Sequence, residues 1–177
     1  LKWCESWLNE CIRVLKNGKE LGLTHLEYAY QEKEGGIVEA LLLAEEFAQD
    51  ESIALILGDN TTDADISQPV AKFKEGSTAF LKKVPDPQRY GVPVFDPKNK
   101  RRIIRIEEKP KKPKSKYAST GLYIFDNQCF DFIRNCVPSA RGELEITDVQ
   151  NQYIAQGSLK WELLKGFWTD AGTFETL

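Results

Sequence analysis

A chain of 177 residues, 41% hydrophobic and 29% charged, suits a single soluble domain that would hide about 70% of its extended surface on folding. Twenty-four basic against twenty-seven acidic residues leave a net charge of -3, too weak a field to recruit nucleic acid or an anionic membrane. No apolar run approaches roughly 18 residues and no signal-peptide pattern is present, so a cytoplasmic protein without membrane attachment is expected.

In chain order, Trp3, Cys4, Trp7, Leu8, Cys11, Ile12 and Leu15 recur at three and four, which predicts an amphipathic helix stopped by Asn17-Gly18. Thr24 to Tyr30 alternates and reads as a strand with Leu26, Tyr28 and Tyr30 on one face. A polar turn closed by Gly35-Gly36 leads into Ile37 to Phe47, apolar almost all round and so expected as a deeply buried helix. Ile53 to Leu57 is apolar without alternation, as in a strand buried on both faces of a mostly parallel sheet, and it stops at Gly58-Asp59-Asn60. In such sheets ligands bind beyond the carboxyl ends of the strands, although Gly-Asp-Asn is also ordinary turn chemistry.

A short helix within Asp63 to Lys74 and a strand over Thr78 to Val84 follow. Tyr90 to Phe95 and Arg101 to Glu108 form the arms of a hairpin, with Pro93 placing the first arm at an edge or a bulge. Lys109 to Lys116 is a basic run, readable as a solvated loop or as a phosphate contact. Ser119 to Phe125 is a further strand, with Asp126 placed to cap a helix carrying Cys129, Phe130, Ile133 and Cys136. Thr147-x-x-Gln150 is a capping box opening a helix stopped by Gly157. Leu159, Trp161 and Leu163 make a last strand before Trp168 to Gly172. Cys4 with Cys11 and Cys129 with Cys136 are each seven apart, on one helix face, and are expected as reduced core thiols; the single histidine, His25, rules out a zinc set of ordinary spacing.

Singly these motifs are weak, but their order is specific. Gln31 with Gly35-Gly36-Ile37, Leu57-Gly58-Asp59-Asn60, Asp86-Pro87-Gln88-Arg89-Tyr90-Gly91-Val92, Glu107-Glu108-Lys109-Pro110, Thr120-Gly121-Leu122-Tyr123, Arg141-Gly142-Glu143-Leu144-Glu145-Ile146-Thr147-Asp148 and Trp168-Thr169-Asp170-Ala171-Gly172 resemble, in sequence and spacing, the sugar-1-phosphate nucleotidylyltransferases. The thymidylyltransferases acting on glucose 1-phosphate are the most similar branch. The resemblance runs from about Asn17 to the last residue.

That resemblance implies an α/β fold: a Rossmann-like, mostly parallel sheet flanked by helices, of the nucleotide-diphospho-sugar transferase type, with a small β-hairpin sugar-binding subregion in one domain over residues 1–177. It implies transfer from dTTP to glucose 1-phosphate, giving dTDP-glucose and pyrophosphate by direct in-line attack, in the service of nucleotide-sugar biosynthesis. Such chemistry depends on positioning and charge neutralisation. Asp59 and Asp170 match the family's Mg²⁺ ligands, and sharing one ion requires their carboxylates within about 5 Å of each other. Gln31 matches the side chain that reads the pyrimidine edge, and Gly36 the backbone along the base. Tyr90, Gly91, Glu108 and Ser119 match the hexose pocket, while Lys109 and Arg141 match the cations that hold the sugar's phosphate. Outside that order, Glu107-Glu108-Lys109 reads as a surface charge run and Arg141-Gly142-Glu143 as a loop ion pair.

Nothing in the sequence resembles the family's N-terminal glycine-rich triphosphate loop and its lysine, nor the helices after Asp170, so the sheet is expected to be N-terminally incomplete. Thr62-Asp63-Ala64-Asp65 also replaces the family's usual aromatic and glycine residues. Three readings remain open: a fragment or truncated thymidylyltransferase, weak or inactive alone; a non-catalytic module binding sugar phosphate or nucleotide sugar; and one part of a split enzyme. A homo-oligomer, or association with a missing N-terminal segment, is expected.

Overall fold

The computed structural model describes residues 2–33 and 35–171, with side chains from residue 8 onward. The expected burial of Trp3, Cys4 and Trp7 and the position of Gly172 lie outside the described residues.

The architecture is organised around one strand. Tyr117 to Phe125, with β-branched or aromatic residues at Tyr117, Thr120, Tyr123, Ile124 and Phe125, forms β6, buried along almost its whole length. Its residues alternate between two cores. Tyr123 and Phe125 face α5 (Gln128–Arg134) and α6 (Ile146–Gln156), packing with Val38, Phe130, Ile133, Val149 and Tyr153. Leu122 and Ile124 face the opposite side, with Phe80, Leu164 and Trp168.

One edge of β6 is taken by β3 (Ser77–Lys83), antiparallel from Ser77↔Phe125 to Lys83↔Tyr117. The other edge is shared. β1 (Ile53–Ile56) pairs with its C-terminal half, Ile53↔Phe125 to Ile56↔Leu122, and β4 (Gly91–Phe95) meets its N-terminal half at Gly91↔Ser119. β4 and β5 (Ile103–Glu108) form the expected hairpin. Pro93 sits opposite Ile106 with a register shift just beyond it, at Val94/Phe95, so the bulged reading holds. β7 (Leu159–Leu163) pairs with β3, and β2 (Asn60–Thr62) pairs with β8 (Trp168–Asp170) in a separate ribbon.

The mixed α/β class is the one read from sequence, but the sheet is not mostly parallel. Among the described residues β3·β7 is the parallel ladder and the other pairings are antiparallel. β1 and β3, joined through α4 (Ser67–Lys72), do run in the same direction, as their crossover predicts. Insertion of β6 between them turns both contacts antiparallel.

Further corrections follow from what each segment finds to pack against. Thr24 to Tyr30 keeps its alternation, with Leu26, Tyr28 and Tyr30 half-buried and the residues between them exposed, yet it joins no ladder among the described residues. β1, expected to be covered on both faces, pairs among the described residues with β6 alone and leaves Ile56 58% exposed. The buried helix over Ile37 to Phe47 divides into α2 (Ile37–Leu42) and α3 (Glu45–Ala48); Val38, Leu41 and Ala48 are buried, while Leu43 and Phe47 face outward. α1 (Lys2–Leu15) forms as expected, but Cys11 is exposed on it rather than in a core. Cys129 is buried, and burial pushes its thiol up to about 12.

Asp126 does not cap α5, whose N-cap is Asn127 with no side-chain bond. Its carboxylate accepts instead from Gly76 N at 2.6 Å and from the Tyr153 hydroxyl at 2.6 Å, tying the end of β6 to the β3 entry and to α6. The Tyr153 ring, fully buried, also stacks on Phe125 and meets Phe132 edge-on at 4.7 Å. Tyr153→Phe keeps the ring contacts and removes one charge-assisted donor, so it should cost about 1.5 to 3 kcal/mol of stability in urea unfolding.

Candidate active-site cleft

Because β1 and β4 share one edge of β6 and then diverge, a crevice opens over Ser119 to Gly121. Leu57 N still bonds to Gly121 O at 2.9 Å, after which the chain leaves the sheet at Gly58. A cavity of about 520 Å³ fills this crevice, a size that admits a sugar phosphate. Its walls bring together Asp59, Tyr90, Gly91, Glu108, Lys109, Ser119 and Asp170 from five separate segments.

The centre of this arrangement is the Asn60 carboxamide. Its Oδ1 accepts from Gly121 N at 2.9 Å and from Trp168 Nε1 at 2.7 Å, and its Nδ2 donates to Asp59 Oδ1 at 2.8 Å. Gly121 is required for this approach: a Cβ there would stand 2.4 Å from Asn60 Nδ2. Asn60 also lies opposite Asp170 in the β2·β8 ribbon, and Ala171 N bonds to Asp59 O at 2.7 Å. Residues far apart in sequence thus place two carboxylates on neighbouring rungs beside one cavity.

Asp170 accepts from the Tyr90 hydroxyl at 2.6 Å and from Arg89 at 3.3 Å, and Arg89 also pairs with Asp86 at 3.1 Å. Burial, then the bond to Asp170, holds the Tyr90 hydroxyl well above its ordinary pKa, so it acts as a donor. The Asp86 to Val92 motif therefore braces Asp170 as well as lining the cavity. Beyond β2, Thr62-Asp63-Ala64-Asp65 is a pinned turn: Asp63 accepts from Phe167 N at 2.5 Å and Thr62 donates to Phe167 O at 2.6 Å.

Glu108 ends β5 facing the cavity, with its side chain 25% exposed. Burial raises its pKa, Glu145 adds to the shift, and Lys109, Arg141 and a hydrogen bond with Thr147 oppose it. Lys109 follows with a φ of 41°, in the left-handed region that few residues with a side chain adopt, and is held there by its N–H to Tyr90 O at 3.0 Å.

Arg141 does not line this cavity. It lies in an adjoining concavity of about 340 Å³ that shares Glu108, Lys109 and Thr147 with the first. Its guanidinium binds both oxygens of Glu145, the nearer at 2.8 Å, and approaches Glu143 at 3.3 Å and Glu108 at 3.8 Å. Gln31 and Gly36 lie in a third concavity, of about 590 Å³, joined to the first through Ile37 and Leu57. Gln31 donates to Gly36 O and to Glu39, and Gly36, at φ 91°, passes so close to Leu144 O that a Cβ would meet it at 2.9 Å.

Sequence reasoning missed Asn60, Arg89, Tyr123, Thr147 and Trp168, all of which line the cavity. All five stood inside quoted motifs, so a signal existed; which side chain turned inward depended on strand register and loop path.

The sequence matches the family described as Nucleotidyl transferase over residues 8–177. This chain belongs to that family. It is 40% identical over 171 residues to a glucose-1-phosphate thymidylyltransferase of Neisseria meningitidis, covering 93% of this chain and 58% of the relative, and 43% identical over 166 residues to one from Actinoplanes, covering 91% and 54%. The chain therefore spans little more than half the length of these relatives. A crystal structure of a glucose-1-phosphate thymidylyltransferase homologue from Bacillus anthracis superposes with a TM-score of 0.87 at 44% identity, over 96% of this chain and 68% of that one. An apo UDP-glucose pyrophosphorylase superposes at 0.78 with 22% identity, which shows a common fold. The mixed sheet flanked by helices is thus the fold of this transferase family.

The state of Glu108 gives a pH test. A carboxyl whose folded pKa is raised contributes stability that is complete below the unfolded value of 4.5 and is lost as pH rises through the folded value. Glu108→Gln, which removes the ionisation, should therefore raise the melting temperature at pH 7 relative to the unmodified chain. The gain should vanish near pH 4, as read by thermal unfolding across that range.

Proposed function

We propose that this chain forms the sugar-phosphate half, and part of the nucleotide wall, of a site that makes dTDP-glucose and pyrophosphate from dTTP and glucose 1-phosphate. The observation that carries the reading is the convergence of Asp59, Glu108, Lys109, Ser119 and Asp170 on one cavity, with Gln31 and Gly36 in the concavity that continues it. A sugar phosphate fits the charge pattern: Glu108 accepts from ring hydroxyls and Lys109 meets the phosphate. In the reaction a phosphate oxygen of the sugar bonds to the α-phosphorus as its bond to the β-phosphate oxygen breaks, with pyrophosphate leaving. Arg141, 3.8 Å from Glu108, reaches the phosphate by exchanging part of its pairing with Glu145.

Asp59 and Asp170 offer the hard oxygen donors that Mg²⁺ takes. No group of three or more such ligands occurs among the described residues, which suits an ion that keeps waters and phosphate oxygens in its remaining positions. When bound, Mg²⁺ would neutralise charge developing on the phosphates. Tyr90 and Arg89 occupy one lone pair on each Asp170 oxygen and hold the carboxylate toward the cavity with further acceptor capacity.

Calorimetry of the chain with hexose 1-phosphates tests the division of labour. Glu108→Gln should reduce discrimination among hexoses by about 1 to 3 kcal/mol, because a charge-assisted bond weakens while shape is kept. Lys109→Ala should weaken all sugar phosphates alike. Equal losses for both variants across the series would contradict these roles.

A further inference from the structure

The basic run Lys109 to Lys116 enters the site described above only through its first residue. Five of its eight residues are lysines, two are prolines and none is acidic. Lys111, Lys112, Lys114 and Lys116 are exposed, and among the described residues they join no ion pair. Neighbouring cations behave differently: Arg89 is paired with Asp86, Arg105 with Glu107 and Arg141 with Glu145. Pro110 and Pro113 break the succession of backbone N–H groups that a phosphate-binding nest needs, so this surface acts on an anion through ammonium charge.

Both ends of the run are fastened at the cleft. Lys109 is tied to Tyr90 O, Val84 N bonds to Lys116 O at 3.0 Å, and Ser119, which lines the cavity, follows three residues later. At no more than about 3.6 Å per residue, the Cα of Lys111 lies within about 7 Å of that of Lys109. The same limit puts Lys112 within about 11 Å of Lys109 and Lys116 within about 11 Å of Ser119. Exposed charges act on one another over about 8 Å at 0.15 M salt and about 30 Å at 0.01 M, so the field of these lysines covers the entrance of the cavity.

The cavity wall does not supply that field. Asp59, Glu108 and Asp170 stand there against Arg89 and Lys109, and Arg89 already serves Asp86 and Asp170. The protein groups of the wall therefore oppose the approach of a phosphate dianion, on a chain whose net charge is -3. The lysines beside the entrance reverse the sign of the field at the point of approach.

We propose that the surface formed by Lys111, Lys112, Lys114 and Lys116 collects phosphate monoesters and steers them into the cleft, raising the association rate without touching the bound ligand. This rests on the hexose 1-phosphate reading above and adds residues that set how fast the ligand arrives.

The test replaces these four lysines together by glutamine; all are exposed, so packing is not disturbed. Line-shape analysis of the Gly91, Lys109 and Ser119 amides during a glucose 1-phosphate titration gives the association and dissociation rates. At about 0.01 M ionic strength association should fall about tenfold while dissociation changes less than about twofold. At about 0.5 M salt the two chains should associate at rates within about twofold of each other. Replacing Lys19, Lys74, Lys98 and Lys100 by glutamine changes the net charge equally at exposed positions outside this run and should leave the association rate within about twofold. Equal slowing by both sets, a loss carried by faster dissociation, or a loss that survives high salt would overturn the inference. Absence of glucose 1-phosphate binding by the unmodified chain would overturn the proposed function itself, an outcome distinct from binding whose rate ignores the lysines.

Discussion

One carboxamide sets the geometry on which this site depends. Asn60 uses both lone pairs of its oxygen, on the β6 backbone and the Trp168 indole, and turns its nitrogen to Asp59. No other side chain of that size supplies two acceptor positions and a donor in one plane. Aspartate would repel Asp59, and an apolar residue would leave Gly121 N and the indole N–H without partners. Because Asn60 also faces Asp170 across the β2·β8 ribbon, the same residue fixes the spacing between the sheet and the segment that returns to it more than a hundred residues later.

The cleft exists because β1 and β4 compete for one edge of β6. Each takes half, and the chain departs from the sheet where they part, which exposes backbone and strand-end side chains around Ser119 and Gly121. This is a form of the rule that ligands bind where neighbouring strand connections diverge. The helices serve the same place from behind: α6 presents Thr147 to Glu108 and Gln150 to Ser119 on one face, spaced by a turn. The charges are balanced within the site as well. Glu108 is surrounded by Lys109, Arg141 and Glu145, so its ionisation responds to whatever anion or hydroxyl enters.

Much of this was legible in the sequence where local chemistry decides. The helix stop at Gly157, the hairpin of Tyr90 to Phe95 with Arg101 to Glu108, and the strands read over Thr78 to Val84 and Ser119 to Phe125 follow from periodicity and turn residues, and the structure places them within one or two residues of those bounds. The order of motifs located Asp59, Glu108, Lys109 and Asp170 on one cavity. Illegible was whatever depends on the identity of a neighbour. The antiparallel insertion of β6, the exposure of Ile56 and the failure of the extended run before Gln31 to join a ladder among the described residues are set by which strand lies alongside. The same holds for Asp126 and Gln150: both were read as helix caps from spacing, yet each found a long-range partner that a capping bond could not match.

The account's central claim is that the crevice between β1 and β4 is where a sugar phosphate binds. The direct measurement is a ¹⁵N NMR titration of the chain with glucose 1-phosphate, following backbone amides. Shifts should concentrate at Gly91, Lys109, Ser119, Gly121 and Thr147, with little change at Gln68, Lys72, Lys160 and Lys165, which line a separate cavity beside α4. Perturbations gathered at that second cavity, with the crevice amides unmoved, would contradict it.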